Sequence, residues 1–222
     1  MLRFQIFLVV LILQFANFAQ AKEIPVQARF FVGITSTDPK NVNDAIVADG
    51  LKKFDNVTQV GFEATYPIVQ YLNVGVRYTK RLAESDPSSG GTTGYNAKID
   101  QDAVLLLARG TFLKTDIVRL DAFAGFGGTN TSLKIKTATQ DGELTRRASG
   151  DWFANPYTAF GGSLSIGYKQ FYLVFEGGLE SNKVDGFKTT GHVNSSINTL
   201  DLSGGYFTVG LMFDGLSGTI GK

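Results

Sequence analysis

The chain has 222 residues, 43% of them hydrophobic, with a formal charge of +1 and no cysteine. Near-neutrality removes the usual warrant for nucleic-acid or polyanion binding, and the lack of thiols excludes a disulfide framework and a thiolate metal site. Glycine (26) and aromatics (18 Phe, 8 Tyr) are abundant and proline is scarce (5), a balance that disfavours helices but is tolerated in strongly curved sheets.

The first residues, MLRFQIFLVVLILQFANFAQA, place Arg3 ahead of an apolar run from Ile6 to Leu13, and Ala19 and Ala21 are small residues of the kind a signal peptidase reads. Residues 1–21 are therefore expected to be a cleaved secretory signal peptide, because a membrane anchor needs an uninterrupted apolar run of about 20 residues. Cleavage removes Arg3 and brings the formal charge to zero. It leaves 22–213 as one domain and 214–222 as a short tail.

Alternation of apolar and polar residues predicts eight strands, the first over 26–34 with Phe30, Val32 and Ile34 on one face and Arg29 on the other. In the polar segment 35–56, Val42, Ala45, Ile46 and Asp49 have helical spacing, with Asn41 or Asn43 to cap and Gly50 to stop. A short lid helix over a barrel mouth is one reading; a plain packed loop is preferred. Strands over 57–67 and 70–82 flank a tight return after Pro67, putting Val60, Phe62, Ala64 and Tyr66 opposite Gln59, Glu63 and Thr65, and Val74, Val76 and Tyr78 opposite Asn73 and Arg77. Segment 83–97 reads as a flexible tip. In strand 98–112 both parities are apolar and only Arg109 indicates an orientation.

Strand 117–128 separates Leu120, Ala122, Ala124 and Phe126 from Arg119 and Asp121. Segment 129–155 reads as a polar loop in which Lys134, Lys136, Arg146 and Arg147 outnumber the acids, a basis for contacting lipopolysaccharide phosphates. Strands 156–168 and 171–181 carry Phe160, Leu164, Ile166, Tyr168, Phe171, Leu173 and Phe175 on one face, and Ser163, Ser165, Glu176 and Glu180 on the other. Segment 182–198 holds the single histidine, His192, near Ser195 and Ser196. A base and nucleophile pair is conceivable there, but a solvated loop histidine is the preferred reading, and one histidine makes no zinc site. A last strand runs over 199–213.

Returns near 67–70, 113–116 and 169–170 are short, whereas 35–56, 83–97, 129–155 and 182–198 are long and polar. This strict alternation is the topology of a transmembrane barrel with short periplasmic turns and long external loops. Tyr66, Tyr71, Phe112, Trp152, Tyr157, Tyr168, Phe171 and Phe213 are expected to form aromatic girdles at the two interfaces. Eight strands enclose a lumen only wide enough for side chains. Arg29, Glu63, Arg77, Arg109, Arg119, Asp121, Glu176 and Glu180 are expected to fill it as a charge-balanced ion-pair network, since unpaired buried charges cost several kcal/mol each.

With these residues in view, the chain resembles the small eight-stranded outer-membrane barrels of Gram-negative bacteria, the superfamily of the outer-membrane protein A transmembrane domain and the X and W types. The similarity is architectural and spans 26–213; the segment YFTVGLMF, Tyr206 to Phe213, resembles their terminal strand, but DGLSGTIGK follows it. The resemblance implies an all-β, antiparallel up-and-down transmembrane β-barrel in the outer membrane. It also implies lipid, lipopolysaccharide and the outer-membrane assembly machinery as partners. The expected role is non-enzymatic: structural, or surface interaction with an extracellular loop partner, by a monomer without metal or cofactor. A narrow gated or lateral conduit for small or apolar solutes is the alternative, and a soluble barrel binding a hydrophobic ligand is the competitor from another class.

Overall fold

The computed structural model describes residues 26–87, 94–147 and 155–215. The expected signal peptide, Trp152 and the tail beyond Gly215 lie outside the described residues. The strands are β1 (Gln27–Ser36), β2 (Asn56–Val69), β3 (Leu72–Ser85), β4 (Asn96–Lys114), β5 (Val118–Lys136), β6 (Asp141–Arg146), β7 (Pro156–Tyr168), β8 (Phe171–Asp185), β9 (Lys188–His192), β10 (Thr199–Asp201) and β11 (Gly204–Asp214), with a helix, α1 (Lys40–Ala48).

Antiparallel pairing runs β1–β2–β3–β4–β5–β7–β8–β11 and returns from β11 to β1, so eight strands close a barrel. Closure satisfies the backbone donors and acceptors along these strands without leaving an edge, the condition for a sheet to stand in hydrocarbon. The alternation seen in the sequence becomes two faces. Phe62↔Tyr78 and Ala64↔Val76 pair on the outside, while Glu63↔Arg77 pair on the inside. The ambiguous strand is β4, where Arg109 is fully buried and Leu106 is 64% exposed, so the single arginine fixes its orientation.

The outer face carries a belt of exposed apolar side chains that includes Phe30, Val32, Val76, Leu106, Leu120, Phe160, Leu173 and Leu211. In water each would forgo about 1.5–3 kcal/mol of burial, and so continuous an apolar surface would aggregate. The belt is the lipid-facing surface of a transmembrane barrel. Glycine makes the tight interior possible: a Cβ on Gly61 would lie 2.5 Å from the Phe31 ring, which occupies the space that Gly61 leaves.

Above the belt the polarity inverts. The inward positions become Val57, Ala83, Ala97, Ile99, Leu133, Ile135 and Val184, and these pack with Leu144, Leu200, Leu202 and α1 into an apolar core. Of segment 129–155, expected as a polar loop, residues 129–136 and 141–146 are strand: β5 continues to Lys136 and β6 returns along it. The signal was the alternation of Leu133 and Ile135 with Lys134 and Lys136, whose apolar members need a covered face. Segment 35–56 contains the helix rather than a plain loop, with Val42 and Ile46 fully buried and Gly50 (φ 85°) ending it. Neither asparagine caps α1: Asn43 instead brackets the Phe54 backbone, donating to its carbonyl (3.0 Å) and accepting from its N–H (2.7 Å). The expected strand 199–213 is interrupted at Leu202 and Ser203, where the Leu202 side chain enters the apolar core; β10 and β11 keep one register along β8 across the break.

Val76 and Leu106 face each other at the centre of the belt. Val76→Arg and Leu106→Arg are each expected to reduce the folding free energy in bilayers by about 2–4 kcal/mol, read from urea titrations of vesicle-inserted protein. Unchanged midpoints for both would remove the lipid from this face.

Candidate functional site

The closed lumen stacks its polar groups in layers, each side chain delivered by an inward strand position. Nearest the short turns, Arg119 Nε donates to Asp121 Oδ1 (2.7 Å) and its Nη2 to Thr111 Oγ1 (2.9 Å). Asp214, the last residue of β11, closes this end: it accepts from Gln27 (2.8 Å) and Lys114 (3.0 Å), and lies 3.5 Å from Arg119.

The middle layer is built on a cross-strand row, Arg29–Glu63–Arg77, on β1, β2 and β3. Glu63 accepts from Arg77 Nε (2.9 Å) and from Arg109 through Nε (2.9 Å) and Nη2 (2.8 Å), with Arg29 3.7 Å away. Glu176, opposite, receives Arg77 (2.8 Å), Arg109 (2.9 Å) and the Tyr206 hydroxyl (3.2 Å). Arg29 links the layers, donating to Asp121 at 2.6 Å. Phe123 lies beneath both the Arg77 and Arg109 guanidinium groups, at 4.5 and 4.6 Å, so part of their charge rests on a ring face.

In a third layer only Glu180 is among the expected interior residues. Arg81, fully buried, pairs with Glu180 and the Tyr157 hydroxyl, and Tyr157 in turn donates to Glu180 at 2.8 Å. Gln101 accepts from Asn182 (2.6 Å) and donates to Thr131 (2.8 Å) beside them. Arg81 shares the parity of Arg77 four positions earlier, which was the available signal. Tyr157, expected in the outer girdle, points inward and is 2% exposed, because β7 places odd-numbered residues inside. Among the described residues the buried interior holds five arginines, Arg29, Arg77, Arg81, Arg109 and Arg119, against four carboxylates, Glu63, Asp121, Glu176 and Glu180; Asp214 supplies the further acid at the rim.

The other expected girdle members occupy the short-turn end: Tyr66, Tyr71, Phe112, Tyr168 and Phe171 are exposed, and Phe213 packs edge-on against Phe30 and Phe171. The four basic residues considered for lipopolysaccharide do not form one cluster. Lys134 on β5 faces Lys98 on one side and Glu143 on the other, and Glu84 faces Lys98, so acids from β3 and β6 flank the lysine pair. Lys136 faces Asp141, Arg146 is engaged with Asn155 (3.1 Å) and the Gly186 carbonyl, and Arg147 is exposed beyond β6. His192 is exposed on β9 opposite Asp141, with Ser195 and Ser196 in the following turn. Among the described residues no group of three or more His, Cys, Asp or Glu side chains is arranged to hold a metal ion.

Outside the membrane span, Asp49 at the end of α1 ties the helix to the β5–β6 turn. It accepts from Thr137 (2.5 Å), Thr139 (2.8 Å) and Gln140 (2.8 Å). Burial pushes its carboxyl up, but these hydrogen bonds outweigh that and hold it below the ordinary carboxylate range.

No protein-family model and no curated protein matches the chain. Solved structures do. Ail, the attachment invasion locus protein of Yersinia pestis, matches in its complex with sucrose octasulfate at 11% identity and a TM-score of 0.49, over 87% of this chain and 99% of that one. OprG from Pseudomonas aeruginosa matches at 13% identity and 0.42, over 87% and 96%; AlkL in lipid bilayers matches at 14% and 0.42, over 90% and 94%. The chain resembles the small outer-membrane β-barrels. The closed sheet, its lipid-facing belt and its buried charges carry the membrane assignment independently of these low identities.

Glu63→Ala strands three arginines without their shared acceptor and is expected to cost about 3–5 kcal/mol in reversible unfolding from detergent or vesicles. Glu143→Ala, at the surface, is expected to cost at most about 1 kcal/mol. Equal effects would reduce the interior network to ordinary packing. For Asp49, a folded pKa below the unfolded value gives stabilisation that is complete above the unfolded value and disappears as pH falls through the folded one. Amide exchange in α1 is therefore expected to accelerate relative to the barrel strands only as pH falls below the ordinary carboxylate range, and not in Asp49→Asn. The same acid response in both proteins would place the sensitivity elsewhere.

Proposed function

We propose that this outer-membrane barrel is closed to solutes and works without enzymatic chemistry, anchoring a folded extracellular head that meets partners at the cell surface. The observation that carries this reading is the continuous filling of the lumen. Three bonded polar layers run from Asp214 to Asn182, and the apolar core beneath α1 continues the packing outward. A conduit would have to part both, exposing multiply paired charges and an apolar core at once.

The head supports the surface role because it is built rather than loose. β4, β5, β6 and β9 form one sheet, and α1 is tied to it through Asp49, so charged rows such as Glu84–Lys98–Lys134–Glu143 are held at fixed spacing. In this reading residues 1–21 direct export, the assembly machinery inserts the barrel, lipid and lipopolysaccharide surround a monomer, and an extracellular molecule is the head's partner.

Planar-bilayer recordings test the closed lumen. Wild-type protein is expected to give conductance near baseline, and replacing α1 with a flexible Gly-Ser linker is expected to leave it there, because the ionic layers remain. A large, stable wild-type conductance would overturn the proposal and favour the conduit.

A further inference from the structure

At the short-turn end, two neighbouring hairpins depart from the pattern of the third. The β2–β3 and β4–β5 returns each contain a register shift, at Pro67/Val69 and Thr111/Leu113, whereas the β7–β8 pairing runs regularly to the Lys169–Gln170 turn. A bulge breaks the two-residue alternation. Consecutive apolar residues on one chain are then exposed together: Ile68 (57%) with Val69 (60%), and Phe112 (78%) with Leu113 (44%). Tyr71 and Ile117 complete an arc along one side of the rim, and the two hairpins are joined by a hydrogen bond from Thr111 N–H to the Tyr71 carbonyl (2.9 Å).

The opposite end of the same wall shows the complementary feature. On β3 the apolar outer face gives way at Lys80, whose ammonium pairs with Asp100 and lies 3.2 Å from Asp102 on β4; the Tyr78 hydroxyl donates to Asp102 at 2.6 Å. Four outward residues, Leu72, Val74, Val76 and Tyr78, precede that ionic group on β3. On β8, Phe171, Leu173, Phe175, Gly177 and Leu179 precede the first polar outward residue, Ser181. An ion cluster in hydrocarbon is costly, as is a row of exposed Ile, Val and Phe in water. Both costs are relieved by one displacement, in which the apolar band on the β2–β5 wall shifts toward the short turns.

We propose that the apolar arc of the β2–β3 and β4–β5 returns is a lipid-docking surface that enters the leaflet at the short-turn end, with Lys114 and Asp116 held at headgroup level, so that the barrel stands tilted with this wall deeper than the β7–β8 wall. The occupant is phospholipid, because the arc is continuous with the lipid-facing belt through Tyr66, Leu72 and Leu120. The Lys169–Gln170 turn, with its lysine 5.4 Å from the Tyr168 ring centroid, has the cation-over-aromatic arrangement of a headgroup-level turn.

The absence of native cysteine makes the test direct. Single-cysteine variants Val69→Cys, Ile117→Cys and Gln170→Cys would be labelled with an environment-sensitive fluorophore and folded into phosphatidylcholine vesicles, with heat-dependent gel mobility verifying the fold of each. Labels at 69 and 117 are expected to show blue-shifted emission, quenching by lipid-borne nitroxide and loss of iodide quenching; the label at 170 is expected to keep iodide quenching. Equal iodide access at all three sites would overturn the proposal. So would shielding of 69 and 117 in whole envelopes but not in pure vesicles, which would make the occupant a protein.

Discussion

Glu63 is the interaction on which the barrel depends. Eight strands enclose a lumen about wide enough for side chains, so every charge aimed inward has to be neutralised by another aimed inward. Arg29 and Arg77 reach Glu63 from the flanking strands β1 and β3, and Arg109 reaches it from β4. Guanidinium groups suit this task because their fixed fork of donors can serve two carboxylates at once, as Arg77 and Arg109 do with Glu63 and Glu176. The network also ties together strands far apart in the chain. Pairing partners alone join neighbours, but Arg109 to Glu176 crosses from β4 to β8 through the lumen.

Such a centre imposes conditions on what surrounds it. Arginines in a narrow lumen need volume, which Gly61 gives to Phe31 and thereby to the guanidinium of Arg77, 5.0 Å from that ring. They also need a bounded interior. Asp214 meets this at one end, which gives a physical reason for β11 to continue past Phe213, the aromatic residue where the last strand was expected to stop. At the other end the boundary is apolar, and α1 covers it.

Much of this is legible in the sequence because the period of two holds along each barrel strand up to the two bulged returns at the short-turn end. Phe62, Glu63 and Ala64 declare their faces without help, and Arg109 alone was enough to orient a strand whose other residues were silent. What was lost lay where alternation depends on a neighbour that the sequence does not name. Leu133 and Ile135 alternate with lysines as clearly as any barrel strand, but the apolar core they join is completed by residues remote in the chain, Ile46 and Leu200 among them, so on sequence alone the segment reads as a charged loop. Tyr157 was misread for the opposite reason: its chemistry suits a membrane interface, but the parity of β7, set by Phe160 and Ser163, turns it toward Arg81. The acids flanking Lys98 and Lys134 come from β3 and β6, so the local excess of basic residues was real in the chain and compensated in the sheet.

β4 displays the governing constraint along a single strand. Its inward residues run Thr111, Arg109, Leu107, Leu105, Ala103, Gln101, Ile99 and Ala97, while its outward ones run Phe112, Gly110, Ala108, Leu106, Val104, Asp102, Asp100 and Lys98. From Ala97 to Phe112 parity does not change, but the composition of the two faces is exchanged near Gln101 and Asp102. Where lipid lies outside, the interior takes the charges; where water lies outside, it takes the apolar core. Because the strand is continuous through that exchange, the head above the belt is an extension of the barrel wall rather than a set of loops attached to it. Its orientation follows that of the barrel beneath it, and a tilt of the membrane-embedded wall would be carried directly to the head.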